Sequence, residues 1–386
     1  MINRAIFEEI KLLSNQYPVL ALTGPRQSGK TTMLKTMFPD YKYITLENPD
    51  NREFAERDPK GFLNAYHEKV IFDEAQNTPT LFSYIQGIVD DSGKMGQFIL
   101  SGLQNFQLME RISQSLAGRV AIFNLLPFEN KEMKTANWLE DKAIDAIPKG
   151  FYPAIFERGA DHDRYYANYI STYINRDVSQ LMNIHDLRSF KTFVKLCALR
   201  TGSLLNLSDL ARDTGISHTT ARNWISILET SFIVYLLPPY YRNYGKRLVK
   251  SSKLYFYDTG LASHLIGIRK SKLTPTHPMW GQLFENMVLM ELIKQNAHRN
   301  TSREFSFWRD SKGHEVDVLI EDEGTLHLYE IKASSTIQNK MFAGLDYFNN
   351  ISEGENIAEK NLVYSGDEAQ NRTDYQIIPW NQLELT

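Results

Sequence analysis

The sequence predicts an α/β protein with a parallel sheet covered on both faces, a helical segment, and a second α/β sheet. Short apolar runs alternate with helical spacings through the first third of the chain. A charged stretch at residues 129–145 interrupts that pattern, and three closely spaced strand patterns follow near the carboxyl end. The 386 residues exceed one typical domain. We therefore expect three domains, at residues 1–130, 131–275 and 276–386.

Composition restricts the class of protein. The chain is 42% hydrophobic and 23% charged, an ordinary globular profile, and its net charge of −3 gives no global basic field for nucleic acid. The single cysteine, Cys197, excludes an internal disulfide and a cysteine-only zinc site, and its apolar neighbours predict a buried helical position. No apolar run approaches the roughly 18 residues of a membrane span, and no secretory signal is recognisable. We expect a cytoplasmic protein without a membrane partner.

Residues 24–31 match the pattern Gly-x-x-x-x-Gly-Lys-Ser/Thr at every fixed position. An apolar run at 18–23 precedes the motif and a helical pattern at 31–37 follows it. This order points backbone N–H groups and a helix N-terminus at one polyphosphate, which predicts a P-loop NTPase domain with ATP and Mg²⁺ as ligands. Lys30 would reach the β/γ-phosphates, and the Thr31 hydroxyl would ligate Mg²⁺. The expected nucleotide contacts are Gly24, Pro25, Arg26, Gln27, Ser28, Gly29, Lys30, Thr31 and Thr32.

A second apolar run, at residues 70–72, ends in Asp73 and Glu74. Asp73 would join the Mg²⁺ shell, and Glu74 would polarise the attacking water. The adjacent acids indicate the subgroup of P-loop enzymes that has an extra strand between the loop and the acid. Five strand patterns alternate with helical ones and predict a parallel sheet; they lie at 18–23, 41–47, 70–74, 97–102 and 120–126.

Two roles in ATP hydrolysis stay open. Ser101, at the end of the fourth strand, is our candidate γ-phosphate sensor; Gln104 and Asn105 are rivals, and a helix-capping role is equally open. Arg119 follows a helix predicted at 106–116 and would serve as an arginine finger, within the chain or toward a neighbour. Arg26 is the second candidate. An ordinary surface or salt-bridged arginine is the alternative for each.

The middle of the chain predicts a helix-turn-helix. A tyrosine-rich helix at 165–183, with Asn175, Arg176 and Asp177 at its centre, precedes it as a nucleotide lid or a simple connector. Two short helices at 209–214 and 217–229 then flank a turn that Gly215 closes. We expect the second helix to bury Ala221, Trp224, Ile225 and Leu228 and to expose His218, Thr219, Arg222, Asn223 and Ser226.

Strand patterns at 233–237 and 253–257 complete a predicted winged helix. The loop between them contains no acid, three tyrosines and five basic residues, which are Arg242, Lys246, Arg247, Lys250 and Lys253. Basic and aromatic side chains together suit the phosphates and bases of DNA or RNA. A role as a lid or protein contact is equally open.

A second group of chemically important residues lies after residue 276. A helix at 281–292 carries Glu285, and strands are predicted at 304–308, 315–320 and 325–332. A hairpin would bring Asp317 to Glu330 and Lys332, and the latter two share a strand face. Asp317, Glu330 and Glu285 would hold Mg²⁺, with Lys332 orienting or deprotonating water for phosphodiester hydrolysis. Exposed charges at strand edges, together with a salt-bridged lysine, are the alternative.

The order of these blocks resembles a family of AAA-type ATPases of bacteria and archaea whose C-terminal half is a domain of unknown function. That family is similar to the archaeal ATPases with a winged helix after the P-loop module. The matching segments are 24–32, 70–76, 115–119, 175–177, 253–261 and 315–332. The resemblance implies a P-loop ATPase core, a winged helix and a restriction-endonuclease-like C-terminal domain. Residues 101–104 depart from the expected Thr-Gly-Ser, which leaves the phosphate sensor unassigned.

Two classes of function follow from these expectations. The first is an ATP-hydrolysing enzyme that acts on DNA or RNA and carries a Mg²⁺-dependent nuclease site. The alternative is a nucleotide-switched interaction module, in which ATP drives homo-oligomerisation and the nuclease-like domain is catalytically silent. A transcription regulator is a weaker third hypothesis, because the exposed face of the second helix of the helix-turn-helix carries one arginine and no lysine.

Overall fold

The computed structural model describes residues 2–102, 115–178, 186–241, 250–269, 273–352 and 354–385. The chain divides into two compact units. The first comprises Met1–Phe128, Thr230–Phe232 and Ala297–Thr301, and the second comprises Glu129–Glu229, Ile233–Asn296 and Ser302–Thr386. The division into three domains stays a prediction.

Several sequence predictions fall outside the described residues. They are the rival sensors Gln104 and Asn105, most of the helix at 106–116, the end of the helix at 165–183, the basic-loop residues Arg242, Tyr244, Lys246 and Arg247, and the side chains of Asn175, Arg176 and Asp177.

A five-stranded parallel sheet is the centre of the first unit. Its strands are β1 (Val19–Thr23), β2 (Lys42–Thr45), β3 (Val70–Asp73), β4 (Phe98–Ser101) and β5 (Val120–Asn124). Their order across the sheet is β2-β3-β4-β1-β5, and all the pairings are parallel. This confirms the five predicted strands. It also places β4 as the extra strand between the loop after β1 and the acid at the end of β3.

Both faces of this sheet are buried, as the continuous apolar runs predict. On one face Val19, Phe72 and Phe98 belong to one apolar cluster, and on the other Leu20 and Ile71 belong to a second. The helices of this unit are α1 (Phe7–Leu13), α2 (Lys30–Met37), α3 (Pro49–Arg57), α4 (Pro59–Ala65) and α5 (Leu81–Ser92). The alternation of strands and helices therefore leaves the carboxyl ends of the strands as the place for polar side chains.

The second unit begins with helices. They are α6 (Asn130–Thr135), α7 (Ala143–Lys149), α8 (Pro153–Glu157), α9 (His162–Tyr169), which continues as a π-helical segment (Ile170–Val178), and α10 (Leu187–Ala198). Cys197 is buried in α10, as predicted. The helix-turn-helix elements follow as α11 (Leu207–Thr214) and α12 (His218–Thr230).

The predicted faces of α12 are confirmed. Ala221, Trp224, Ile225 and Leu228 are at most 6% exposed, whereas His218, Thr219, Arg222, Asn223 and Ser226 are exposed. The rings of Phe190 and Phe193 contact Trp224 edge-on, with centroids 5.2 and 5.3 Å away. Gly215 ends α11 with a φ of 77°, a left-handed conformation that glycine adopts without strain.

A three-stranded sheet accompanies these helices. It is formed by β6 (Ser203–Leu204), β7 (Val234–Leu237) and β8 (Lys253–Phe256), in the order β6-β8-β7 with antiparallel pairing. Helix α13 (Thr259–Leu265) follows β8, and the long helix α14 spans Trp280–His298. Among the described residues, no helix is long and apolar enough to cross a membrane.

A six-stranded mixed sheet completes the second unit. Its strands are β9 (Glu304–Arg309), β10 (Glu315–Asp322), β11 (Thr325–Lys332), β12 (Asn356–Tyr364), β13 (Gln370–Asn371) and β14 (Gln376–Pro379), in the order β13-β14-β12-β11-β10-β9. Strands β9 to β11 are antiparallel, and β12 joins β11 in parallel after helix α15 (Ala343–Ile351). Leu345 and Phe348 of α15 belong to the apolar cluster of this sheet.

The edge of β9 is paired with the segment that follows β7. Phe307 donates its N–H to the Pro238 carbonyl at 3.0 Å, and Tyr240 donates to the Phe307 carbonyl at 2.7 Å. An unpaired edge strand would leave its N–H and C=O groups open to other chains. Here the connection out of β7 closes that edge and joins the two sheets of the second unit.

The packing of Trp224 makes a stability prediction. We expect Trp224→Ala to lower the free energy of unfolding by about 3–5 kcal/mol, because it leaves a cavity beside Phe190 and Phe193. Arg222→Ala, on the exposed face of the same helix, should change it by no more than about 0.5 kcal/mol. Urea unfolding followed by circular dichroism measures both. Equal effects of the two substitutions would contradict the observed orientation of α12.

Candidate functional sites: a nucleotide-binding loop and a carboxylate–lysine cluster

The P-loop follows β1 and depends on two glycines with positive φ. Gly24 has a φ of 144°, and a Cβ there would stand 2.3 Å from the Leu125 carbonyl oxygen. Gly29 has a φ of 97° and immediately precedes α2. Larger residues would be strained at both places. The loop is therefore built to bring its backbone close to a ligand at the N-terminus of α2.

Lys30 is held inside this loop by backbone carbonyls. Its Nζ donates to the oxygens of Gly24 and Pro25, both at 2.9 Å, and the residue is 8% exposed. Burial lowers the pKa of Lys30 to about 8, although Glu74 and Asp73 oppose the shift. A buried ammonium in the loop is a ready partner for a phosphate, since two neutral carbonyls compensate its charge only in part.

Asp73 collects three hydroxyl groups at the carboxyl edge of the sheet. The Thr31 hydroxyl donates to its Oδ2 at 2.8 Å, Tyr43 donates to the same oxygen at 2.5 Å, and the Ser101 hydroxyl donates to Oδ1. Asp73 itself is buried. The pair predicted to hold Mg²⁺, Thr31 and Asp73, is thus in direct contact, and hydroxyl and carboxylate oxygens are donors that suit this ion.

Glu74 is fixed in a sparsely populated conformation. Its φ of 56° is left-handed, and the Gln76 side-chain amide donates to its carboxylate. Burial raises the pKa of Glu74, and the hydrogen bond from Gln76 opposes that shift. Non-glycine residues with positive φ cluster at functional sites. The candidate catalytic carboxylate therefore has a defined orientation beside Asp73.

The two candidate arginines lie in different places. Arg26 is exposed within the P-loop. The Arg119 guanidinium pairs with Asp90, and the Arg119 carbonyl accepts from Val19 N–H at 3.1 Å, at the amino end of β1. The P-loop follows the other end of that strand, about 15 Å away for five residues. This position separates Arg119 from the P-loop of its own chain, and the ion pair with Asp90 agrees with the alternative of a salt-bridged surface arginine.

The second site lies in the second unit, where the hairpin of β10 and β11 brings Asp317, Glu330 and Lys332 together. The register pairs Val318 with Tyr329, which sets Asp317 across from Glu330. Lys332 forms an ion pair with Glu330, and its Nζ is 3.5 Å from Asp317 Oδ2. Asp317 Oδ2 also accepts from the Ile331 N–H at 2.8 Å.

Lys253 of β8 enters the same cluster. Its Nζ is 2.9 Å from Glu285 Oε1 and 3.9 Å from Asp317 Oδ1, and it forms an ion pair with Glu315. The Tyr255 hydroxyl donates to Glu285 Oε1 at 2.5 Å. Lys253 is only 3% exposed. This residue differs from expectation: the sequence pattern assigns it to the end of a phosphate-gripping loop, whereas it is buried among carboxylates.

A cavity of about 670 Å³ opens onto this cluster, and both lysines and Glu285, Glu315, Asp317 and Glu330 are among its lining residues. Glu330 is 7% exposed, and its Oε2 has no hydrogen-bond partner among the described residues. Glu330 thus contributes to the cavity wall a carboxylate with one buried oxygen that has no partner among the described residues.

Burial and neighbouring charges shift the titration of this cluster. Burial and the Asp317 charge raise the pKa of Glu330 to about 8, against the opposing charge of Lys332. Burial also raises the pKa of Glu285, which Lys253 opposes. Burial disfavours the charge on Lys253, but the surrounding carboxylates, Glu285 first, hold its pKa well above the ordinary value. The lysines thus stay charged and neutralise part of the acidic cluster.

The described residues contain no group of three or more His, Cys, Asp or Glu side chains arranged to hold a metal ion. Glu285, Asp317 and Glu330, predicted as one metal-binding set, do line one cavity. Two ammonium groups lie between them, because Lys253 contacts Glu285 and Asp317 while Lys332 contacts Asp317 and Glu330. Their assignment as ligands stays a prediction.

Comparison with known proteins gives three matches to family models. Residues 16–134 match an AAA domain, and residues 140–272 and 280–383 match two domains of unknown function (DUF8612 and DUF4143). The uncharacterized proteins Rv2008c of Mycobacterium tuberculosis and Mb2031c of Mycobacterium bovis are each 31% identical over 325 residues, which cover 83% of this chain and 71% of each relative. The chain belongs to their family.

In this family member the AAA-type P-loop domain has the fold that supports ATP binding and hydrolysis. Two solved structures are similar at low identity. The Walker-type ATPase paby2304 of Pyrococcus abyssi is 15% identical, with a TM-score of 0.44, and the match covers 69% of this chain and 96% of that one. AMPPCP-bound DnaA from Aquifex aeolicus is 16% identical, with a TM-score of 0.27 and coverage of 58% and 85%. Scores below 0.5 carry no further argument.

The sequence analysis does not predict the contacts that four residues make at these sites. Tyr43 looks like an ordinary strand aromatic, and Gln76 lies two residues beyond the acidic pair without a distinguishing pattern. Glu315 and Lys253 each begin a strand, where a charged residue is unremarkable. The position of Arg119 could have been predicted from the sequence, because Arg119 directly precedes the parallel strand β5 and must therefore lie at the amino edge of the sheet.

The pKa of Lys30 predicts how ATP binding depends on pH. Below about pH 8 the ammonium is charged in the free protein, and above it the neutral amine must take up a proton to pair with phosphate. We expect ATP affinity to be flat from pH 6.5 to 7.5 and to fall by up to about tenfold per pH unit above pH 8. Calorimetry with the non-hydrolysable analogue AMPPCP measures this, with circular dichroism as the control for folding. An affinity that stays constant to pH 9.5 would contradict the proposed pairing.

Proposed function

We propose that this protein is an ATP-hydrolysing enzyme that acts on nucleic acid and carries a Mg²⁺-dependent nuclease site in its C-terminal sheet. The observation that carries the proposal is the meeting of Asp317, Glu330 and Lys332 at one cavity, with one oxygen of Glu330 left without a partner. When bound, Mg²⁺ supplies charge stabilisation to the phosphate and lowers the pKa of bound water.

At the nucleotide site we assign roles from the observed contacts. Lys30 pairs with the β/γ-phosphates in place of its present carbonyl partners, and Thr31 and Asp73 hold Mg²⁺. Glu74 orients and polarises the attacking water, and Gln76 fixes its carboxylate. We assign the γ-phosphate sensor to Ser101, and its hydrogen bond to the Asp73 carboxylate supports that assignment.

At the C-terminal site the order of elements supports the nuclease assignment. A long helix with Glu285 precedes three antiparallel strands, and a helix then crosses to a parallel fourth strand. Asp317 lies on the second strand, and Glu330 and Lys332 lie on one face of the third. That order of helix, three strands, helix and strand is typical of restriction-endonuclease-like domains. We assign Lys332, a charged ammonium beside both carboxylates, to orienting the attacking water as a hydrogen-bond donor rather than to deprotonating it.

The elements before the C-terminal sheet support contact with nucleic acid. The order α10, β6, α11, α12, β7, β8 is that of a winged helix, and the exposed face of α12 carries Arg222 with four other polar residues. A recognition helix of this kind reads base edges in the major groove. Because that face carries one basic residue, we assign it a modest share of the affinity.

Paired substitutions test the two catalytic halves. Lys30→Ala should lower ATP turnover by about 100-fold or more, because it removes a charge that stabilises the transition state. Lys332→Ala should lower strand scission by about 100-fold or more and leave ATP turnover unchanged. The exposed Lys312, on the turn before β10, gives the matched control Lys312→Ala. The assay follows ATP turnover and cleavage of labelled DNA and RNA with Mg²⁺ or Mn²⁺. If the wild type cleaves neither DNA nor RNA with either metal, the nuclease assignment is wrong.

One observation favours the alternative function of a nucleotide-switched interaction module. Lys253 and Lys332 already neutralise much of the carboxylate cluster, as expected for a catalytically silent site. In this alternative ATP drives homo-oligomerisation, and Arg119, which lies away from its own P-loop, reaches the nucleotide of a neighbouring chain.

The oligomer alternative makes its own prediction. Light scattering should show a rise in mass on adding AMPPCP, and ATP turnover per chain should rise with protein concentration. Arg119→Ala should abolish that concentration dependence and leave the turnover of the dilute protein within about twofold of wild type. Lys94→Ala, which removes another exposed ion pair in the same unit, is the matched control. A monomer with and without nucleotide would rule this function out.

A further inference from the structure

We propose that the ammonium group of Lys253, held by Glu285 and Glu315, occupies a position in the C-terminal site that a metal ion would otherwise take. Asp317 and Glu330 then remain to bind one divalent ion. This assignment rests on the proposed metal-dependent function of the same cavity. It removes Glu285 from the metal ligands and gives it a partner from within the chain. Lys253 thereby becomes the residue that sets how many metal ions the site accepts.

The contacts of Glu285 support this division. Lys253 Nζ and the Tyr255 hydroxyl both donate to the same oxygen, Oε1, at 2.9 and 2.5 Å. A carboxylate oxygen has two lone pairs in the plane of the group, so these two donors occupy that atom. Both donors come from β8, which lies in the three-stranded sheet. The Oε1 atom of Glu285 is therefore committed to holding the β8 strand.

The burial of Lys253 requires such partners. The residue is 3% exposed, and a buried ammonium without counter-charges would be strongly destabilising. Glu315 supplies the second close carboxylate, and Asp317 Oδ1 lies farther away, at 3.9 Å. A divalent ion at the same place would meet the repulsion of the lysine, which Coulomb's law makes large at such distances.

Glu330 has a lysine partner but, unlike Glu285, no hydroxyl donor from a neighbouring strand in the part of the chain that the structure describes. Its Oε1 pairs with Lys332, Glu330 is among the residues that line the cavity, and its buried Oε2 has no hydrogen-bond partner among the described residues. Gly344 packs closely against this group, because a Cβ there would stand 3.2 Å from Oε2 and 2.1 Å from the Glu315 carbonyl oxygen. A carboxylate oxygen that is buried, unpaired and adjacent to Asp317 is the donor a hard cation requires.

Binding of Mn²⁺ to the full-length protein without nucleotide tests the assignment, with free Mn²⁺ followed by electron paramagnetic resonance. Omitting nucleotide keeps the P-loop site weak, since Mg²⁺-type ions there depend on substrate phosphates. We expect one Mn²⁺ per C-terminal site. Glu330→Gln should weaken binding tenfold or more, and Glu285→Gln by less than threefold. Equal losses in these two variants would overturn the assignment of Glu285.

A second set of variants tests Lys253 directly. Lys253→Met removes the charge at similar length and should add one Mn²⁺ per chain, bound between Glu285, Glu315 and Asp317. Lys253→Arg and the exposed Lys250→Met should keep the wild-type number. A folded Lys253→Met protein with no additional Mn²⁺ would overturn the proposal. If that variant does not fold, the comparison of Glu285→Gln with Glu330→Gln decides.

The proposed nuclease function can fail separately. DNA and RNA left uncut by a wild type that binds one Mn²⁺ would remove the nuclease and leave the assignment of Lys253 intact. A wild type that binds no Mn²⁺ would remove the metal site at Asp317 and Glu330. In that case Mn²⁺ binding by Lys253→Met would still identify Lys253 as the cation of the cluster. If Lys253→Met also bound no Mn²⁺, this role of Lys253 would be excluded.

Discussion

Buried carboxylates at the ends of strands need partners, and this requirement organises both candidate sites. A buried unpaired charge is strongly destabilising, so each such group must collect donors from neighbouring elements. In the first unit Asp73 does so with the hydroxyls of Thr31, Tyr43 and Ser101. In the second unit the carboxylates collect the ammonium groups of Lys253 and Lys332. The positions of several separate elements follow from these contacts.

The two kinds of donor leave the sites with different chemistry. The hydroxyl groups donate hydrogen bonds to Asp73 without adding a positive charge beside it. Ammonium groups both donate and neutralise, so the second cluster has less charge left for a metal. The proposed metal–nucleotide site therefore has neutral donors around its carboxylate, whereas the proposed metal site of the second unit has two ammonium groups among its carboxylates.

Local sequence patterns predict much of this arrangement. The P-loop and the Asp73–Glu74 pair carry their own strand and helix signals, and strand alternation places Glu330 and Lys332 on one face. The contacts of Lys253 with Glu285 and of Tyr43 with Asp73 could not be predicted from such local patterns. Alternation shows which face of a strand a residue occupies, but not which other sheet packs against that face. Lys253 looks like the last residue of a basic loop, and only the packing of β8 near Glu285 shows that it is buried.

The contacts of β8 bear on which proposed function the second site supports. If neutralisation were complete, each carboxylate oxygen facing the cavity would have a lysine or hydroxyl donor, and the domain would be a stable platform without chemistry. At Glu285 the atom Oε1 has two donors, from Lys253 and Tyr255. At Glu330 the atom Oε1 pairs with Lys332, whereas the buried Oε2 has no donor among the described residues. Burying an unsatisfied carboxylate oxygen costs free energy that a purely structural site has no reason to retain. For this reason we rank the metal-dependent enzyme above the silent platform.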